Sequence, residues 1–181
     1  MPNYLNPTAG KTREGNGLIR LAGAPAAGTS EVQTITISGS PTGGSVVFAW
    51  EGRQLGASLT YAQLTDATAA TAEAAVKAYL EALPGFNGTV TAVRSGSTPN
   101  FVFTITYSGN YDKANVSQPT LFSNSLTGGS SPTIAFATTT PGVAADKYPV
   151  GTQVVNTANG KVYVNTGTQN VPVWTLVGSQ T

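Results

Sequence analysis

The chain has 181 residues, nine Lys or Arg against eight Asp or Glu, a net charge of +1, and neither His nor Cys. Charged residues make up 9% of it, against roughly 25% in an ordinary soluble domain, so the polar surface must be built mainly from Thr, Ser, Asn, Gln and Gly. These values exclude a disulfide framework, a thiolate metal site and a His-activated nucleophile. They also argue against nucleic-acid binding by phosphate neutralisation, and no apolar run approaches the roughly 20 residues of a membrane span.

Residues 1–30 carry Pro2, Pro7, Gly10, Gly15, Gly17, Gly23, Pro25 and Gly28, punctuation too dense for a helix. Leu5, Leu18, Ile19 and Leu21 are scattered among them, with Lys11, Arg13 and Arg20. The pattern predicts an extended arm that docks on a neighbour or on the chain's own sheet. Pro2 and Pro7 without a following apolar run predict no secretory signal.

From Glu31 the period becomes two. Gln33, Ile35 and Ile37 share one face and Thr34 and Thr36 the other. Ser40-Pro41-Thr42-Gly43-Gly44 reads as a turn, after which Val46, Phe48 and Trp50 alternate with Val47 and Ala49, a strand buried on nearly both faces. The pair predicts a hairpin. Glu51-Gly52-Arg53 is the next turn, and residues 59–61 read as a short edge strand.

Residues 66–83 carry the one convincing helix. Ala72, Val76, Tyr79, Leu80 and Leu83 form an apolar stripe, Asp66, Thr68 and Thr71 are candidate N-caps, and Pro84-Gly85 ends it. Glu73, Lys77 and Glu81 recur every four residues on the outer side, as solvated ion pairs would. Strands follow at 89–93 and 100–107, joined by a turn at 96–99. In the second, Phe101, Phe103, Ile105 and Tyr107 form an unbroken apolar row. Residues 110–118 read as a loop, and 120–123 and 133–138 as further strands.

Residues 141–150 read as a linker, and 151–181 as a C-terminal β element with strands around 153–156, 161–165 and 172–177. Asn159-Gly160 is a two-residue hairpin signal. So short a piece cannot hold an independent core. Its Val154, Val162, Val164, Val173, Trp174 and Leu176 must bury against the main domain or against another subunit. The expected fold is thus mainly β, with some α: an antiparallel sheet or sandwich over 31–140 carrying one packed helix, an N-terminal arm, and a C-terminal β-hairpin element.

Chemistry is sparse. Gly10-Lys11-Thr12 ends like a phosphate-binding loop, but the Gly that should stand at position 5 is Leu. Glu73 and Glu81 are explained by Lys77. Asn110, Asp112 and Asn115 offer Ca²⁺ a single carboxylate, so a polar turn is the better reading. Tyr61, Tyr107, Tyr111, Tyr148 and Tyr163 read as half-buried packing residues before they read as a sugar platform. No catalytic residue, metal ligand or cofactor is expected.

The order Glu31-Val32-Gln33-Thr34-Ile35-Thr36-Ile37, Pro41-Thr42-Gly43-Gly44, Ala69-Ala70-Thr71-Ala72 with Val76, then Leu80-Glu81-Ala82-Leu83-Pro84-Gly85, Val90-Thr91 and Leu126-Thr127-Gly128-Gly129 resembles a β-rich module of structural proteins of tailed bacteriophages. The resemblance covers about residues 31–140. Residues 160–168 and 172–177 are similar to a short β element at the ends of other phage particle proteins. These motifs carry architecture, and no site residue transfers with them. The resemblance implies a virion component, most like a head decoration (cement) protein on the capsid surface. The major capsid protein would be its partner and a homotrimer its form, with no nucleic acid or membrane involved. A tail, baseplate or fibre protein, or a carbohydrate-binding surface module, is the alternative. The expected contact residues are Leu5, Leu18 and Ile19 in the arm and Tyr163 and Trp174 in the terminal element.

Overall fold

The computed structural model describes residues 12–13, 19–169 and 171–178. Its elements, in chain order, begin with β1 (Thr12–Arg13), β2 (Ile19–Leu21), β3 (Val32–Ser38) and β4 (Ser45–Trp50). Then come β5 (Arg53–Gln54), β6 (Leu59–Thr60), α1 (Tyr61–Leu64), α2 (Ala69–Glu81), β7 (Thr89–Ser97) and β8 (Asn100–Ser108). The chain continues through β9 (Thr120–Asn124), β10 (Thr133–Thr140), β11 (Gln153–Asn156), β12 (Val162–Asn165) and β13 (Trp174–Leu176). Two compact units form, one from residues 29–143 and the other from 1–28 together with 144–181. The chain is mainly β and sandwich-like with one helix packed on the sheets, as its periodicity predicts.

In the larger unit one sheet has the order β10-β3-β8-β7, and the other is built on β4, flanked by β5, β6 and β9. The core residues are those the period-2 rows mark: Ile35 and Ile37 on β3, Val46, Phe48 and Trp50 on β4, and Phe101, Phe103, Ile105 and Tyr107 on β8, all buried. The predicted β3–β4 hairpin does not form. β3 pairs with β8 and β10, and β4 with β9, so the turn at 39–44 carries the chain from one sheet to the other. Residues 125–130, which link β9 to β10, run beside it: Thr42 N donates to Thr127 O at 2.8 Å, Thr127 N to Gly43 O at 3.0 Å and Ser130 N to Gly39 O at 2.8 Å. The two crossings approach so closely that a Cβ on Gly44 would lie 2.1 Å from Ser125 O, and one on Gly129 2.0 Å from Gly39 O. Both glycines have positive φ as well.

The helix is shorter than predicted. Thr60 and Gln63 form a capping box on α1, a separate helical turn that begins at Tyr61, the last residue of the strand expected over 59–61. Asp66 accepts from Thr68 N at 2.8 Å before α2 begins. The stripe Ala72, Val76, Tyr79, Leu80 and Leu83 is buried as expected. Tyr79 anchors α2 to the β4 sheet: its hydroxyl accepts from Phe48 N at 3.2 Å and donates to Ala57 O at 3.1 Å, with the Phe48 ring edge-on at 5.6 Å.

The outer ion pairs are not merely solvated, which corrects the reading of Glu73, Lys77 and Glu81. They cover the exposed edge of β7. Glu81 accepts from Val90 N at 2.9 Å, Lys77 donates to Val90 O at 2.8 Å as well as to Glu81, and Glu73 accepts from Arg94 N at 2.8 Å. A strand edge presents unpaired N–H and C=O groups that recruit other strands, and here helix side chains occupy them. Burial pushes the Glu81 carboxyl up, but its hydrogen bonds from Lys77 and Val90 N and the Lys77 charge outweigh this and hold it below its ordinary value of 4.5.

Glu31 closes the opposite end. It is 1% exposed and accepts from Val116 N at 2.7 Å, Gly142 N at 3.4 Å, Thr138 Oγ1 at 3.4 Å and the Gln33 amide. The Gln33 amide oxygen in turn accepts from the Tyr107 hydroxyl at 2.8 Å. Burial, then the neighbouring Glu31 charge, pushes the Tyr107 phenol well above its ordinary pKa.

In the smaller unit the sheet order is β1-β2-β11-β12-β13. β2, from the stretch read as an arm that docks on a neighbour or on the chain's own sheet, pairs parallel with β11, Ile19 opposite Val154 and Leu21 opposite Asn156. Residues 144–150, read as linker, belong to the same unit: Asp146 accepts from Ala26 N at 2.8 Å and donates its own N–H to Ala26 O at 2.9 Å. The two-residue turn expected at Asn159-Gly160 is a four-residue loop closed by Asn156 N to Lys161 O at 2.8 Å.

Two outcomes follow. A depressed carboxyl stabilises the fold above its unfolded pKa, and that contribution is lost as pH falls through the folded value. The urea midpoint should therefore drop on acidification below about pH 4.5, and Glu81→Gln should flatten that drop in urea titrations followed by circular dichroism across pH. Glu31→Leu strands the Val116 N–H and the Gln33 amide in the interior, and its urea midpoint should report a loss of about 3 kcal/mol; an unchanged midpoint would show that Glu31 does not hold this end of the sandwich.

Candidate interaction surface

The acidic side chains are committed to the fold. Of the eight in the sequence, Glu14 lies outside the described residues. Glu31, Asp66, Glu73, Glu81 and Asp146 accept backbone N–H groups. Glu51 and Asp112 accept the hydroxyls of Ser117 at 3.3 Å and Ser30 at 2.5 Å. The Asp112 turn, weighed above as a Ca²⁺ loop, is thus tied to Ser30. Among the described residues no three His, Cys, Asp or Glu side chains gather as a metal site would require. Arg94 is similarly engaged: it donates to Leu64 O at 3.3 Å and Asp66 O at 2.7 Å and lies 4.7 Å over the Phe101 ring.

Of the expected contact residues, Leu5 and Leu18 lie outside the described residues. Ile19 is not a surface residue: at 8% exposure it joins Leu21 and Val154 in the core of the smaller unit. Tyr163 is half-buried on β12, on the same sheet face as Val154 and Leu176, which it opposes on either side. Trp174 is half-buried too. Its ring meets Tyr148 edge-on at 6.1 Å, and its Nε1 is enclosed without a hydrogen-bond partner. The structure thus brings Ile19, Tyr163 and Trp174 to one face of one sheet, where they pack inward more than they project. Tyr61, Tyr79 and Tyr107 are buried in the larger unit, and Tyr111, Tyr148 and Tyr163 are half-buried.

The exposed apolar residues are different ones. Val150 is 68% exposed, Val173 53%, Val171 48%, and Leu176 and Val177 38% each. These five belong to the smaller unit, whose buried apolar cluster among the described residues is Ile19, Leu21 and Val154; on the larger unit Phe122 at 56%, Val93 at 53% and Val143 at 52% are exposed as well. A shallow, solvent-open trough nearby is lined by Pro149, Val150, Thr166, Gly167, Thr168 and Gln169, with no charged side chain.

What orders so small a unit is amide chemistry. Asn165 is fully buried; its oxygen accepts from Gly167 N and Val173 N, both at 3.0 Å, and its Nδ2 donates to Tyr148 O at 2.6 Å and Thr168 O at 3.4 Å. Asn156, also buried, accepts from Ala158 N at 2.9 Å. Both sit in Val-Asn-Thr triplets, at 155–157 and 164–166. Each Asn folds the chain back two residues on, the Asx-turn geometry. That signal was present in the sequence, in triplets too short to register as a repeat.

No protein-family model matches this chain, and no curated protein sequence matches it.

The two tryptophans report on the two units separately, Trp50 from the larger and Trp174 from the smaller. In urea, the fluorescence of Trp50→Phe should change at a lower concentration than that of Trp174→Phe, because the unit that Trp174 reports on buries far less apolar surface. Coincident transitions would mean that the units unfold as one.

Proposed function

We propose that this chain is a non-enzymatic structural protein of a tailed-phage particle, which decorates the capsid and stabilises it by bridging shell subunits. The observation that carries the reading is the division of side chains just described. Every described carboxylate is bonded to backbone or serine, while five of the eight exposed large apolar residues lie on the smaller β unit. That distribution supports a molecule whose work is contact. The resemblance of residues 31–140 and of the C-terminal element to phage structural proteins supports the particle as its setting.

In this reading the major capsid protein is the partner, copies of the chain associate with one another, and no cofactor, nucleic acid or membrane takes part. The mechanism is physical. A subunit seated across a seam adds buried area to both neighbours, on the order of 1,600 Å² for a standard interface. Simultaneous attachment at several seams multiplies the effect without any new kind of contact. Near-neutral net charge removes the repulsion that dense packing on a lattice would otherwise create.

Immunogold labelling of intact particles with antibody to this chain tests the location, and heating of shells with and without added protein tests the role. The expected result is label spread over the head, with decorated shells rupturing at a higher temperature than bare ones. Label confined to the tail would replace the capsid reading with a tail or baseplate role; absence from every particle would remove the virion reading altogether.

A further inference from the structure

We infer that β13 is a self-association edge, at which two copies of this chain pair residues 173–177 antiparallel about a two-fold axis through Thr175. The inference concerns the chain alone in solution and stands independently of the capsid proposal.

Among the described residues, α2 covers Val90 and Arg94 of the β7 edge with Glu73, Lys77 and Glu81, β1, β5 and β6 have two residues each, and β10, the other long terminal strand, lies near β9. Among the described residues β13 is the last strand of its sheet. Val173 O accepts from Thr166 N at 2.8 Å and Val177 N donates to Val162 O at 2.9 Å, so positions 173, 175 and 177 bond toward β12. In an antiparallel ladder the intervening residues bond the other way, which turns the N–H and C=O groups of Trp174 and Leu176 outward. The strand itself supplies no charge to guard them, for residues 162–181 contain no Asp, Glu, Lys or Arg.

The partner is a second copy because the segment is complementary to itself. It reads Val173-Trp174-Thr175-Leu176-Val177, apolar at matched positions on either side of Thr175. A two-fold axis there sets Trp174 opposite Leu176 of the second copy, and the reverse. Both residues have outward backbone groups, so the two pairs exchange four hydrogen bonds. The same register sets Val173 against Val177 of the second copy on the other sheet face, and Thr175 against Thr175. Three of the five exposed apolar residues of the unit thereby gain apolar neighbours, and no like charges meet. The unit also needs this burial, since its own core consists of Ile19, Leu21 and Val154.

The absence of Cys from the sequence makes cross-linking a clean test. In this register Thr175 and its mate form a pair without hydrogen bonds, about 4.5 Å apart at Cα, inside the disulfide range. Full-length Thr175→Cys should oxidise to a covalent dimer. Val173→Cys alone should not, whereas a mixture of Val173→Cys and Val177→Cys should. Sedimentation equilibrium of the unmodified chain should give a dimer, and Leu176→Pro, which removes an outward N–H and the leucine side chain from each copy, should weaken it at least about tenfold. A chain that stays monomeric at every concentration, a trimer by mass, or a Val173→Cys variant that cross-links as well as Thr175→Cys would overturn the inference.

Discussion

The larger unit begins and ends at one place. Thr29 N donates to Val143 O and Val143 N to Thr29 O, both at 2.9 Å, and two residues inward the Glu31 carboxylate gathers Val116 N, Gly142 N and the Thr138 hydroxyl. A carboxylate taken out of water is tolerated only when its lone pairs are filled by donors, and here the donors come from two separated segments, at Val116 and at 138–142. Because the ends meet, a sandwich of more than a hundred residues can be carried between β2 and β11. Those two strands lie parallel, and parallel neighbours require a crossover connection of a dozen residues or more. The whole larger unit is that connection, so the order of the small sheet depends on the closure made at Thr29, Glu31 and Val143.

The scarcity of charge has a structural counterpart. Few as the ionised side chains are, Glu31, Asp66, Glu73, Lys77, Glu81, Arg94 and Asp146 all bond backbone groups. Glu81 and Lys77 together bond the N–H and the C=O of Val90, as a neighbouring strand would. The arrangement also ties α2 to the edge of the sheet, so one set of contacts orients the helix and blocks further strand addition. An exposed i,i+4 pair is worth a few tenths of a kcal/mol; hydrogen bonds from charged groups to otherwise bare amides are worth more. Sequence spacing alone cannot distinguish the two, because it shows only that Glu73, Lys77 and Glu81 share a helix face, and nothing of the strand beside that face.

Much of the fold was legible and the reason is local. The rows at Ile35 and Ile37 and at Phe101 to Tyr107, and the stripe from Ala72 to Leu83, are periodic within one element, so hydrophobicity alone marks their buried faces. The misread features depend on distant partners. Pro41, Gly43 and Gly44 announce a reversal, but whether β3 and β4 pair or part is decided by residues 125–130, which press against the turn so tightly that only glycine fits at positions 44 and 129. Ile19 looks like an arm residue until Val154 is set beside it. Trp174 looks like an outward anchor until Tyr148 packs against it. The exposed run from Val173 to Val177 is apolar at alternate and intervening positions alike, so no period reveals which of its faces lies open.

The two units also divide the work of holding together and of touching. The larger one has a core that needs no help: Phe48 packs edge-on against Tyr79 and Phe136, and Trp50 against Phe86 at 5.1 Å. The smaller one, among the described residues, buries the apolar cluster of Ile19, Leu21 and Val154 and relies on Asn156 and Asn165 to fix its turns. A buried asparagine bonded at every site is specific about geometry but adds little net stability, since each of its bonds replaces one to water. Such a unit is well ordered and weakly held, the condition under which added contacts change stability most. Its apolar exposure is therefore better understood as an incomplete interior than as an accident of the surface. A partner at Val173 and Leu176 would add burial to the unit that has least of its own.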